Sequence, residues 1–305
     1  MKLSDIKRVL IIGAGTMGQQ IGFVCALHGY DVVFYDIEQE LLDVSIKRVH
    51  KLGSLLVAWG RITEDQLSET LGRISVTTDP AEAARDVDLV SESIPENPEL
   101  KGKVFAQFNE LCPERTIFTT NTSTLLPSMF AEATGRPDKL AALHFHDVRT
   151  SNVVDVMPHP GTSRETTELV EAFAKSIGQI AIVLNKENNG YVFNSMLTAW
   201  FYSALSLASN EVASIEDIDR SWMGVMHTPI GPFGIMDQIG LKTVWTVNDY
   251  WAKKVTDPQA QKNADFVKNY VDKGLLGAKT RKGFYTYPNP VFVREGFLEG
   301  DAKEE

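Results

Sequence analysis

The chain has 305 residues, 43% of them hydrophobic and 23% charged, with a formal net charge of −10. That is the composition of a globular protein with room for two domains. The acidic balance argues against broad binding to nucleic acid or to an anionic membrane, yet leaves room for a local site that takes an anionic small ligand. The two cysteines, Cys25 and Cys112, lie far apart and outside any CxxC spacing. They are expected to be reduced thiols, so neither a disulfide framework nor a metal centre is expected.

The first residues carry no apolar signal core, so a cytoplasmic location is expected rather than export. Residues 9–12 are wholly apolar and run into Gly13, the pattern of a buried parallel strand. A helix over 16–28 follows and stops at Gly29. A strand over 31–35, a long helix over 38–59 and a second helical piece from about 63 come next. Further strands are expected at 74–77, 88–94, 116–120, 140–144, 153–157 and 180–184. Helices are expected at 98–111 and 164–176. Such alternation predicts a parallel sheet covered on both faces.

The pattern changes after Lys186-Glu187-Asn188-Asn189-Gly190, and strand signals nearly vanish. The expected organisation is an α/β, Rossmann-type dinucleotide-binding domain over residues 1–187, followed by an all-α domain over 188–305. Residues 188–210 hold no charged side chain and are long enough to cross a bilayer. Asn194, Ser195, Thr198, Ser203 and Ser206 favour a helix buried in a domain or a subunit interface instead.

The loop Gly13-Ala14-Gly15-Thr16-Met17-Gly18 matches GxGxxG between a strand and a helix. Gly13 permits the tight turn, Gly15 lets backbone approach a pyrophosphate, and Gly18 lets helix and strand pack closely. The helix start, with Thr16 and Met17, presents N–H groups to the anion. Asp36 lies 18 residues beyond Gly18, where an acid can bind both ribose hydroxyls and repel a 2′-phosphate. NAD is favoured over NADP. A flavin, another adenosine ligand and a ligand-free turn stay open on this loop alone.

Later segments carry a family resemblance. Asn121-Thr122-Ser123-Thr124 and Leu143-His144-Phe145 follow or end strands, at the sheet edge where such folds bind ligands. With the glycine loop, Glu92–Asn97, Pro229-Ile230-Gly231-Pro232-Phe233 and Leu276-Gly277-Ala278-Lys279-Thr280, they resemble the L-3-hydroxyacyl-CoA dehydrogenases. The resemblance implies NAD-dependent oxidation of a 3-hydroxyacyl thioester, with a homodimer paired through the helical domain. It implies His144 as general base and Asp155 as the acid that orients it. Ser123 and Asn194 match residues that hold substrate oxygens. Glu96, Lys101, Ser123 and Lys279 match positions at the cofactor. Each residue has a plainer reading: core histidine for His144, surface acid for Asp155, turn cap for Ser123, helix cap for Asn194.

Two departures stand out. The family's His-Phe-Phe-Asn-Pro run appears as His144-Phe145-His146-Asp147-Val148, the segment to the acid is one residue shorter, and the acid is aspartate. Leu52 and Trp59 occupy the places of the family's CoA-contacting serine and lysine, with Lys47, Arg48 and Lys51 out of register. Reduction or oxidation of a free 3-oxo, 3-hydroxy or sugar acid is therefore a second reading. A non-catalytic relative is a third.

Overall fold

The computed structural model describes residues 1–302. The chain forms two compact units, Met1–Phe193 and the residues from Asn194 onward.

The first unit is built on β1 (Arg8–Ile12), α1 (Thr16–Leu27), β2 (Asp31–Tyr35), α2 (Gln39–Ala58), α3 (Glu64–Gly72), β3 (Ile74–Thr77) and α4 (Pro80–Ala83). It continues with β4 (Leu89–Glu92), α5 (Pro98–Leu111), β5 (Ile117–Thr120), β6 (Leu140–Phe145), β7 (Val153–Pro158), α6 (Arg164–Ser176) and β8 (Ile180–Val183). Eight strands make one sheet in the order β3-β2-β1-β4-β5-β6-β7-β8. Both faces of its centre are covered, which explains the continuous apolar run in β1. Val9 and Ile11 pack into one buried cluster with Phe23, Phe34 and Phe173. Leu10 and Ile12 pack into another with Tyr35, Phe105 and Phe118. Alternate side chains leave a strand on opposite faces, so both sets must be apolar.

The expected all-parallel sheet is corrected at one junction. β6 and β7 pair antiparallel, with His144 opposite Asp155. β7 and β8 then pair parallel to each other. The physical reason is length. Only residues 146–152 join β6 to β7, and a parallel return needs about a dozen residues or more.

Helix starts follow ordinary capping chemistry. Asn97 accepts from Leu100 N–H at 3.0 Å ahead of Pro98 in α5. Ser163 accepts from Thr166 N–H at 3.1 Å at the start of α6.

The second unit contains α7 (Phe193–Ser209), α8 (Ile215–Met226), α9 (Pro232–Ile239), α10 (Leu241–Ala252) and α11 (Pro258–Val271). Its core gathers Phe201, Leu205, Phe233, Met236 and Tyr285. Asp219 of α8 is buried and caps α9, accepting from Phe233 and Gly234 N–H at 2.9 and 3.0 Å and from the Tyr285 hydroxyl at 2.9 Å. Burial nevertheless pushes its carboxyl up to about 6, against those donors. The charge-free helix expected to be buried is only half so. In α7, Phe201, Ala204, Leu205 and Ala208 are buried, while Met196, Tyr202 and Leu207 are exposed. Among the described residues no helix is long and apolar enough to cross a membrane.

Candidate active site

The glycine loop turns at the end of β1. Gly13 has φ +93°, and a Cβ there would stand 2.7 Å from the Ser93 carbonyl oxygen. A Cβ on Gly18 would stand 2.0 Å from the Gly13 carbonyl oxygen, so α1 approaches the loop as closely as a glycine allows. Gly15 differs. Nothing lies within 4 Å of its Cβ position, so no packing demand of the fold explains a glycine there. It caps the N-terminus of α1, with Thr16 exposed and Met17 half-buried in the first turn. The first N–H groups of a helix have no acceptor inside the helix. Open space over such a terminus fits a pyrophosphate.

Asp36, after β2, holds the loop. Its Oδ2 accepts from Ala14 N–H at 2.9 Å and its Oδ1 from Ile37 N–H at 2.8 Å.

At the ends of β4 and β5 a polar network forms. Glu96 accepts from Ser123 N–H at 2.7 Å and from the Thr122 hydroxyl at 2.8 Å. It thereby fixes the turn that carries the half-buried Ser123. Lys101, expected at the cofactor, is buried at 1% exposure. Its ammonium lies 2.5 Å from Glu92 and 3.5 Å from Glu96. It also donates to the Ile94 carbonyl at 3.2 Å. Burial pushes the Glu92 carboxyl up, opposed by Lys101, Thr120 and Ile94.

The antiparallel pairing of β6 and β7 brings His144 and Asp155 together. His144 Nδ1 lies 3.3 Å from Asp155 Oδ2, with both side chains buried. Burial alone would raise the Asp155 carboxyl. The hydrogen bond to His144 and the nearby imidazole of His146 outweigh it and hold the group at about 2. The His144 ring stacks on Tyr191 with centroids 4.5 Å apart and planes at 10°. Tyr191 is itself anchored, its hydroxyl donating to the Thr122 carbonyl at 2.6 Å. One tyrosine therefore ties the His144 ring to the loop that bears Ser123.

Two residues here escape the sequence reading. Neither Tyr191 nor His146 is given a role in it. Yet His146 Nε2 lies 3.6 Å from the same Asp155 oxygen, and its ring meets His144 edge-on at 4.9 Å. The His-x-His spacing on one strand end was the available signal, since residues two apart share a face. Asn194 and Lys279 belong to the second unit. Asn194 is half-buried in the first turn of α7, and Lys279 is exposed in the short 3₁₀ turn Ala278–Thr280.

A glycine turn, an acid after β2 and a buried His–Asp pair on one Rossmann-type unit, with a separate helical unit after it, define the class: a dinucleotide-dependent dehydrogenase. Comparison with known proteins gives the particular family. Residues 8–188 match the 3-hydroxyacyl-CoA dehydrogenase NAD binding domain, and residues 190–287 match the 3-hydroxyacyl-CoA dehydrogenase C-terminal domain. The chain is 34% identical over 289 residues to the mitochondrial hydroxyacyl-coenzyme A dehydrogenase of Mus musculus, covering 92% of this chain and 91% of that one. It is 32% identical over 284 residues to a probable 3-hydroxybutyryl-CoA dehydrogenase of Bacillus subtilis, covering 93% and 98%. Among solved structures, a diketoreductase superposes with a TM-score of 0.85 at 38% identity, covering 92% of this chain and 99% of that one. The (S)-3-hydroxybutyryl-CoA dehydrogenase of Ralstonia eutropha superposes with 0.84 at 31% identity, covering 93% and 100%. The chain belongs to the 3-hydroxyacyl-CoA dehydrogenase family of NAD-dependent oxidoreductases.

Proposed function

We propose that this protein interconverts a 3-hydroxyacyl-CoA and its 3-oxoacyl-CoA with NAD, with His144 as general base. The carrying observation is the buried His144–Asp155 pair. An ionised Asp155 facing Nδ1 keeps the ring proton on that nitrogen, leaving the Nε2 lone pair to take the proton of the 3-hydroxyl. Asp155 also stabilises the imidazolium that results. Bound NAD accepts the hydride that leaves C3. Ser123 and Asn194 hold the substrate oxygens. Gly13, Gly15, Thr16, Met17 and Gly18 carry the pyrophosphate and Asp36 the ribose, with Glu96, Lys101 and Lys279 toward the nicotinamide half. Residues 1–187 supply the cofactor site, and 188–305 supply the dimer contacts.

A second reading, a free 3-oxo or 3-hydroxy acid as substrate, is favoured by one observation. Leu52 on α2, at a place where the family touches CoA, is buried, while Lys47, Arg48 and Lys51 are exposed elsewhere on the helix. The diketoreductase similarity points the same way. NADH oxidation with acetoacetyl-CoA and with free acetoacetate, side by side, tests both. A rate on the free acid equal to that on the thioester would defeat the CoA reading, and no rate on either would defeat both.

We also infer a homodimer through the second unit. Val225, Met226, Tyr250 and Trp251 are all exposed there, and a second copy would cover apolar side chains of this kind. A monomeric mass by light scattering at micromolar concentration would reject it. The buried free thiols Cys25 and Cys112 support a reducing compartment such as the cytoplasm.

A further inference from the structure

We propose that His144, His146 and Asp155 form a binding site for a divalent transition ion of the zinc class, and that filling it switches catalysis off. The switching half rests on the reading of His144 as the base. The binding half does not.

One ligand atom from each of the three residues lies within 4.8 Å of the other two. His144 Nδ1 and His146 Nε2 stand 3.3 and 3.6 Å from the same oxygen, Asp155 Oδ2. The longer separation is beyond a hydrogen bond. Both match the edge of a tetrahedron around zinc, where bonds of about 2.0–2.2 Å put neighbouring ligands about 3.3–3.6 Å apart. The remaining His–His edge lies within the same 4.8 Å, and His146 is only half-buried. A second observation points to a ligand. His146 Nε2 is buried with no hydrogen-bond partner among the described residues, although a buried ring nitrogen ordinarily finds one. Two imidazoles and one carboxylate suit zinc, cobalt, nickel or copper rather than calcium or magnesium, which prefer oxygen shells.

The switch follows from the single proton of a neutral imidazole. An ion on Nδ1 of His144 moves that proton to Nε2. A ring that carries hydrogen on Nε2 has no lone pair there for the substrate hydroxyl, so the first proton transfer stops. No bond to substrate or cofactor is made or broken by the ion, and chelation restores the original tautomer.

The test is a titration of the full chain with Co²⁺, whose visible ligand-field absorption reports coordination directly. A parallel series reads NADH oxidation in the presence of Zn²⁺. The expected result is one Co²⁺ per chain, bound at least about tenfold more weakly by His146→Phe and by Asp155→Asn, and Zn²⁺ inhibition that EDTA reverses. Thermal melting establishes that both variants are folded. No Co²⁺ binding up to millimolar concentration, or equal affinity in wild type and His146→Phe, overturns the site. Co²⁺ and Zn²⁺ seated on these residues with the rate undiminished overturns the switch. If the wild type oxidises no NADH, the functional reading fails, while the cobalt titration still decides the site.

Discussion

The glycine loop and the β6–β7 pair both lie in the first unit, but they are built from different material. The loop is backbone. Its demands are a positive φ at Gly13, a close approach at Gly18 and open space at Gly15, and each falls on one residue type. The pair is made of side chains. Its geometry depends on strand register, on a tyrosine far along the chain and on a second histidine. A backbone site tolerates little change and is easily recognised. A side-chain site can exchange glutamate for aspartate and phenylalanine for histidine while keeping its frame.

The largest effect that would sharpen this contrast is on the pair. His144→Gln should lower turnover by at least about 10²–10⁴, with NAD binding unchanged in a fluorescence titration. A loss below tenfold would place the base elsewhere. Asp155→Asn comes next, lowering kcat by about tenfold or more with KM little changed, because an orienting acid acts mainly in the transition state. A wild-type kcat in that variant would break the pairing.

Smaller effects separate the glycines of the loop. Gly18→Ala drives a Cβ into the Gly13 carbonyl, so overpacking should cost about 1–3 kcal/mol in denaturant unfolding. Gly15→Ala should leave stability within about 0.5 kcal/mol yet weaken NAD by about tenfold, equal to about 1.4 kcal/mol. Equal melting temperatures for the two variants would contradict the division between packing and ligand glycines. The smallest effect concerns Asp219 in the second unit, whose carboxyl is raised from 3.8 to about 6. Folding favours its protonated form, so its contribution is complete below pH 3.8 and is lost as pH rises through about 6. Asp219→Asn cannot titrate. Its stability deficit against wild type should therefore shrink between pH 4 and 7, by on the order of 1 kcal/mol. A deficit constant with pH would reject the shift.

Much of the fold is legible because apolar runs bounded by glycine and caps leave few alternatives. The reversal at β7 is legible too, once the short 146–152 connection is weighed against the needs of a parallel crossover. Other features are not. Lys101 is matched to a position at the cofactor, but its burial depends on Glu92 at the end of β4, a pairing that sequence alone does not show. Tyr191 carries no signal of its own in the sequence, and it stacks on His144 from a left-handed backbone, φ +51°, just before α7. The half-exposed face of α7 is hidden from sequence because a charge-free helix looks the same against its own unit or another subunit. Sequence reading places the domain boundary at 187/188. The compact units part at 193/194, since Tyr191 and its neighbours fold back onto the loop at Thr122.

Asp36 sets a constraint on anyone redesigning this protein. Its carboxylate meets the ribose in the proposed complex and also accepts from Ala14 N–H. Changing it to a neutral or basic side chain, the obvious route to a phosphorylated cofactor, strips the brace from the turn that carries the pyrophosphate. Cofactor preference and loop shape are thus inherited together. A successful exchange has to bring a replacement acceptor for Ala14 along with a binder for the new phosphate.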